Sequence, residues 1–308
     1  MNTLTEPKLG QILKIATPIV ISRASYMVML FIDRLFLSRV GKLELAASMS
    51  GGLTSFVVSS FFVGLVGYVT ALVAQYYGAD RHKMCTRATT QSLYVGVASY
   101  PILLACIPFV RYVFELTGQD PALSSLSTIY AKILLAGSIF LILRTALGSF
   151  FIGIGKTRVV MIANSIGAFA SIPLNYMFIF GKLGLPAMGI QGAAIGTVCG
   201  SFIVFAILLS YYINAISQAP YQVENPLQFS PDVMRRLFKF GLPAGVEPFL
   251  NWFAFNVFVQ IMHSYGSDTA AASTIAFNWD AVVFVPMIGL SVAATTISGQ
   301  YIGAKDHD

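Results

Sequence analysis

The sequence predicts an all-α polytopic membrane protein, and three observations carry that expectation. Of 308 residues, 56% are hydrophobic and only 10% are charged, against about 25% charged in an ordinary soluble domain. The mean hydropathy is +0.75. The apolar residues also gather into runs long enough to cross a bilayer, which takes about 20 residues of helix. This composition excludes a disordered chain, which is poor in apolar residues and rich in charge. It also excludes a soluble two-domain enzyme, whose surface these few polar side chains would not cover.

Eight stretches meet the length requirement, with soft ends: roughly 12–38, 48–76, 88–110, 124–150, 159–180, 187–213, 237–264 and 272–302. Short polar segments at 39–44, 79–83 and 182–186 separate neighbouring spans, and the longest polar segment, 217–231, contains three prolines. The runs do not alternate apolar and polar residues, so helices are expected and barrel strands are not. No cleavable signal peptide is expected, because the first run is long and leads into further spans.

Charge placement predicts orientation. With the N-terminus inside, inner segments hold Lys8, Lys14, Arg81, Lys83, Arg87, Lys156, Arg158, Arg235, Arg236, Lys239 and Lys305. Outer segments hold only Arg39, Lys42, Arg111 and Lys182, and the spans themselves hold Arg23, Arg34, Lys132 and Arg144. The net charge of +6 is therefore read as a topology signal, and no nucleic-acid partner is expected. Cys85, Cys106 and Cys199 are too scattered for a disulfide framework or a metal site and read as small core residues.

The chain also aligns with itself. At an offset of 225, residues 12–82 match 237–307 without a gap, with 16 identities in 71 positions. They include Lys14/Lys239, Pro18/Pro243, Gly41/Gly266, Gly64/Gly289 and the ends Gln75-Tyr-Tyr-Gly78-Ala79 and Gln300-Tyr-Ile-Gly303-Ala304. Six spans precede the second copy, so both copies have the same orientation, a parallel repeat about an axis along the membrane normal. The expected domains are a six-helix lobe at 1–216, a cytoplasmic linker at 217–235, and the first two helices of a second lobe at 236–308. A complete second copy needs four more spans, so the chain is expected to be a fragment of a protein near twice 225 residues.

Several blocks now line up with a known pattern. They are Pro18, Asp33-Arg-Leu-Phe36 and Gly41…Leu45-Ala-Ala47 around the first span, and Gly153-Ile-Gly-Lys-Thr-Arg158 after the fourth. Next come Ile172-Pro-Leu-Asn-Tyr176 in the fifth span, Gly189-Ile-Gln-Gly-Ala-Ala-Ile-Gly-Thr197 at the sixth, Gly241-Leu-Pro243 at the seventh, and Pro286-Met-Ile-Gly289 in the eighth. In their joint order and spacing they resemble the multidrug and toxic compound extrusion (MATE) family over almost the whole chain. The resemblance implies a transporter of two six-helix lobes that exports organic cations across the plasma (inner) membrane by alternating access, coupled to a proton or sodium gradient. No other cofactor is implied, and the expected partners are small organic cations and the lipid bilayer, with the protein a monomer. A lipid-linked saccharide flippase of the same superfamily is the alternative. It would want a basic cavity for pyrophosphate, and the motif order favours the exporter.

Three acids lie within spans: Asp33, Glu247 and Asp280. A carboxylate in hydrocarbon is costly, so such residues face cavities or partners. One that alternates between neutral and charged forms can exchange a proton for a cationic guest. By the resemblance Asp33 stands where the family keeps its first-lobe acid and is expected to couple ion and substrate movement; pairing with Arg34 is the structural alternative. The family pattern places another acid eight residues after Pro243, where this chain has Asn251; Glu247 lies one turn earlier on the same face. Asp280 lies about 8 residues into the eighth span, about 12 Å deep, at a depth like that of Asp33. The amides Asn164, Asn175, Asn251 and Asn256 are candidate substrate or ion ligands, or helix-to-helix hydrogen bonders. Asn175 is favoured because it sits in the span-five block.

Other features have structural readings. Gly192, Gly196 and Gly200 repeat every four residues and predict close helix packing. Tyr26, Phe253 and Trp279 are candidates to face a cation. Arg144 is expected to make a salt bridge or anchor a loop. Gly155-Lys156-Thr157 echoes a phosphate loop, but Phe150 occupies the position of its first glycine and no strand precedes it. His82, His263 and His307 are too dispersed for a metal, and no catalytic arrangement is evident, so no enzyme activity is expected.

Overall fold

A computed structural model describes the backbone of residues 9–116, 121–182, 184, 186–264 and 267–304, and their side chains except at 116 and 259–283. All regular structure in these residues is helical, as the hydropathy runs require once no water is left to satisfy a bare backbone. α1 (Leu9–Val40) has 32 residues, about 48 Å, so its ends extend beyond a hydrocarbon core of about 30 Å. The predicted second span is a broken helix, α2 (Lys42–Gly67) and α3 (Val69–Gly78). The third is α4 (His82–Cys106), a 3-10 turn at Ile107–Phe109 and the short α5 (Val110–Leu116), with Pro101 and Pro108 in this stretch.

The fourth predicted span is α6 (Pro121–Ala136) and α7 (Ser138–Gly153), bent by 45° at Gly137. The bend falls at the Gly137-Ser138 pair, a usual place for a kink, and Gly137 lies against the Val198 side chain so closely that a Cβ there would enter it. α8 (Thr157–Phe180) ends on Gly181 in the left-handed conformation, φ 67°. α9 (Ile190–Ile216) is followed by a stretch without helix, then α10 (Pro231–Ser264) and α11 (Ser267–Ala304). Among the described residues, five helices are long and apolar enough to cross a membrane, or six if α6 and α7 form one span. The seventh and eighth expected spans coincide with α10 and α11, parts of which lie outside the described side chains. The outer surface carries exposed large apolar residues such as Phe31, Val97, Phe109, Phe169 and Phe202, a surface suited to lipid and unlike that of a soluble monomer.

The main core joins α3, α4, α7 and α9. Phe150 is fully buried there, with edge-to-face contacts to Phe151, Tyr212 and Tyr221 at ring separations of 5.2, 5.1 and 5.5 Å. The segment 217–230 is fastened along α4. Thr86 Oγ1 donates to the Tyr221 carbonyl at 2.9 Å, Thr90 Oγ1 to Pro226 at 2.8 Å, and Gln91 Nε2 to Gln228 at 3.1 Å, while the Tyr94 hydroxyl donates to Leu227. Residues 86, 90 and 94 are one turn apart, so a single polar face of α4 holds the whole segment. This explains why the start of α4 is polar, and why helix extends back to His82 where the hydropathy run begins only at 88.

The glycine stripe on α9 behaves as the spacing predicts. A Cβ on Gly192 would lie 2.5 Å from the backbone of Phe178 on α8. One on Gly196 would overlap the Asn175 side chain, and one on Gly200 the Ser171 hydroxyl. At the far ends of α3 and α11, Gly78 lies against the backbone of Gln300 while Gly303 lies against that of Gln75. Similarly, Gly64 approaches Ala244, Gly245 and Pro248 on α10, and Gly289 approaches Ala16 and Val20 on α1.

Gly192→Val is expected to force α8 and α9 apart and to destabilise the protein by roughly 1–3 kcal/mol, the usual cost of overpacking. Gly10→Val, where nothing lies within 4 Å, is expected to stay within about 0.5 kcal/mol of the parent. Thermal unfolding of both variants in detergent checks the contrast.

Candidate functional site

Residues 23, 26, 30, 33 and 37 of α1 recur at three- and four-residue spacing, so they share one face. Its far part, at Asp33 and Leu37, turns inward, while Arg23 and Tyr26 are exposed. Leu37 is buried with Ile179, Ile190 and Ala193. Asp33, one turn earlier, is 7% exposed and accepts a hydrogen bond of 2.5 Å from Nδ2 of Asn175 on α8. It makes no ion pair among the described residues. The structure thus pairs Asp33 with an amide and not with its neighbour Arg34.

α1 and α8 run parallel, because their contacts advance together: Asn164 Nδ2 donates to Ser22 Oγ at 2.9 Å, Ser25 and Ser165 share a hydrogen bond of 3.1 Å, and Asp33 meets Asn175. Asn175 is fully buried. Its Oδ1 has no hydrogen-bond partner among the described residues, and it fits against α9 only because residue 196 lacks a side chain. Tyr130 on α6 packs against the cluster that holds Leu37, one turn beyond Asp33. Two helices, α1 and α8, thus bring a buried carboxylate and a buried amide together. Carboxylate and amide carbonyl oxygens suit a proton or a hard cation.

The other expected residues are distributed differently. Asn164 bridges α1 and α8 through Ser22, the helix-joining alternative for an intramembrane amide. Glu247 and Asn251 are exposed on α10 and Asn256 is half-buried; no hydrogen bond joins them to Asp33 among the described residues. The side chains of Asp280, Trp279 and His263 lie outside the described residues. No group of three metal-ligating side chains occurs among the described residues. Of the two roles expected for Arg144, no salt bridge occurs among the described residues. Tyr130 was not singled out from the sequence. An isolated tyrosine in an apolar run carries no signal of its own.

The MatE family model matches residues 18–177 and 243–308, and the Asp33–Asn175 pair lies inside the first block. The chain belongs to the MatE family. Among curated MatE-like relatives, the probable multidrug resistance protein NorM of Shewanella oneidensis is 27% identical over 304 residues, 97% of this chain and 65% of its own length. The multidrug resistance protein MdtK of Yersinia pestis is 28% identical over 295 residues, 95% of this chain and 64% of its own. The chain therefore spans about 65% of the length of these relatives. Two solved structures share the fold over 96% of the chain. One is a MOP superfamily transporter of Pyrococcus furiosus with a binding pocket of reverse polarity, at TM-score 0.86 and 19% identity. The other is an outward-facing multidrug resistance MATE family transporter, at TM-score 0.85 and 20% identity.

Removing the amide by Asn175→Leu is expected to leave a buried carboxyl without its donor and to cost about 1–3 kcal/mol. Adding Asp33→Leu removes the unpaired group as well, so the double variant is expected to regain most of the loss. Thermal stability of the two single variants and the double variant measures this coupling.

Proposed function

We propose that the chain is part of an exporter of organic cations, driven by a proton or sodium gradient, in which Asp33 and Asn175 bind the coupling ion. The carrying observation is the buried Asp33 carboxylate, held by one amide whose carbonyl oxygen remains free to accept. Such a group is costly while charged and is relieved by a proton or a small cation. Its loading state is therefore tied to whether a cationic guest is present. The relatives named as multidrug resistance proteins support drug-like substrates. They and the order of motifs favour export over the flippase alternative.

In this reading Glu247 and Asp280 are further coupling acids, and Asn164, Asn251 and Asn256 are accessory polar groups of the transport path. Residues 1–216 form one lobe, 217–235 the linker and 236–308 the start of a second lobe related to the first by an offset of 225. The reciprocal contacts of Gly78 with Gln300 and Gly303 with Gln75 support that relation. Each contact is turned into the other by adding or subtracting the offset, as a pseudo-two-fold axis requires. Basic-residue counts support a cytoplasmic N-terminus in the inner membrane. The functional unit is a monomer, with alternating access from rocking of the lobes.

The test is ethidium export by the complete open reading frame in an efflux-deficient host, with and without a proton or sodium gradient. Asp33→Asn is expected to lower coupled export at least about tenfold, the effect of about 1.4 kcal/mol. Glu247→Gln and Asp280→Asn are expected to lower it less. Full coupled export by all three variants overturns the reading.

A further inference from the structure

The helices that carry the buried pair, α1 and α8, leave an open groove between their starts. It has a volume of about 550 Å³, within the range of sites that hold small ligands. Its walls include Leu13, Lys14, Thr17 and Ile21 of α1, and Arg158 and Met161 of α8. Met161 is half-buried and the other five are exposed. One cation therefore stands on each side of a mostly apolar channel.

The helix register puts both cations at one level. Asn164 of α8 donates to Ser22 of α1 at 2.9 Å. Lys14 precedes Ser22 by about 12 Å of helix, and Arg158 precedes Asn164 by about 9 Å, in the same direction because the helices run parallel. That level is set by the length of α1. The helix exceeds a hydrocarbon core by about 18 Å, so about 9 Å projects at each end when it is centred. Lys14 lies about 8 Å from the start of α1 at Leu9, near the hydrocarbon boundary. Ile21 and Met161 lie further along their helices, on the apolar side of that boundary.

Neither cation has an ion pair among the described residues. The repeat provides a comparison. Lys239, at the offset of 225 from Lys14, lies over the Phe240 ring at 5.2 Å, whereas Lys14 is followed by Ile15. Two like charges facing one groove repel each other, and an anion between them relieves the repulsion. Arg158 offers an oxyanion paired N–H donors, and Lys14 offers a point charge. A soluble anion would answer the charges and leave the apolar channel unfilled. A lipid with a negative headgroup answers both.

We propose that the groove between the starts of α1 and α8 binds one anionic phospholipid, its phosphodiester between Lys14 and Arg158 and an acyl chain along Ile21 and Met161. Basic pockets between spans suit such headgroups. The binding does not depend on the export reading. It ties together the starts of the two helices that bring Asp33 to Asn175, in the register that Ser22 and Asn164 hold.

The test uses the protein from the complete open reading frame, purified in detergent and mixed with equal amounts of phosphatidylglycerol and phosphatidylcholine. Native mass spectrometry counts the lipids retained. One phosphatidylglycerol is expected to be held about tenfold more tightly than phosphatidylcholine, and Lys14→Gln and Arg158→Gln are each expected to lower that preference about fivefold. Lys14→Arg, which keeps the charge, is expected to retain it, and so is Lys42→Gln at an exposed cation outside the groove. An unchanged preference in both glutamine variants of the groove overturns the inference, as does an equal loss in Lys42→Gln. Displacement of the lipid by excess inorganic phosphate assigns the groove to a free oxyanion and overturns it. Lipid retention that appears only after deletion of residues 2–7 assigns the groove to that segment, and a dimer that retains no lipid assigns it to a second copy; either overturns it. Loss of ethidium export with the lipid preference intact overturns the export reading alone.

Discussion

A carboxylate inside a bilayer-spanning bundle must have a donor held at one height, and in this protein that requirement falls on the seam between α8 and α9. Asn175 reaches Asp33 only because α8 packs against a stripe of α9 that carries no side chains at residues 192, 196 and 200. In a membrane the hydrophobic effect does not press helices together, so contact depends on how closely two backbones can approach. The glycines supply that approach. The same lack of a side chain at 196 that brings the helices together makes room for the amide, so packing and site chemistry share one cause.

The interior polar groups are arranged by the same economy. Serines and threonines on most helices bond back to carbonyls three or four residues earlier, as Ser59 does to Ser55 and Thr89 to Cys85, and so satisfy themselves locally. Groups that depart from this pattern mark places where helices must be held to something else. Thr86, Thr90, Gln91 and Tyr94 hold the 217–230 segment across α4. Each such bond contributes only about 0.5–1.5 kcal/mol, but together they give a segment with little regular structure a defined path. Asn164, Ser22, Ser25 and Ser165 hold α1 to α8 below Asp33, which limits sliding between the two helices that carry the buried pair.

Much of this protein is legible in its residues alone. Low charge and long apolar runs determine a helical membrane protein, because a backbone without water must satisfy itself and the helix does so within one segment. The four-residue glycine spacing determines a close helix contact for a similarly local reason. Asp33 and Asn175 were both singled out from sequence, since each is a polar group in an apolar run and each stands in a recognisable block. Family membership follows from the order of those blocks and is borne out by the family model.

What the sequence could not determine is which polar group meets which. Asp33 has Arg34 beside it in the chain, yet its hydrogen-bond partner is Asn175, 142 residues away; adjacent residues on a helix point about 100° apart, while residues on neighbouring helices face one another. The packing of Tyr130 against the cluster that holds Leu37 is likewise a product of which helix faces turn inward. The 45° bend at Gly137 interrupts a hydropathy run that reads as continuous, since hydropathy records transfer from water and is blind to the direction of a helix axis. Spacing along one helix is local and was readable; registers and facing directions between helices are collective properties of the packed bundle, and only the tertiary structure decided them.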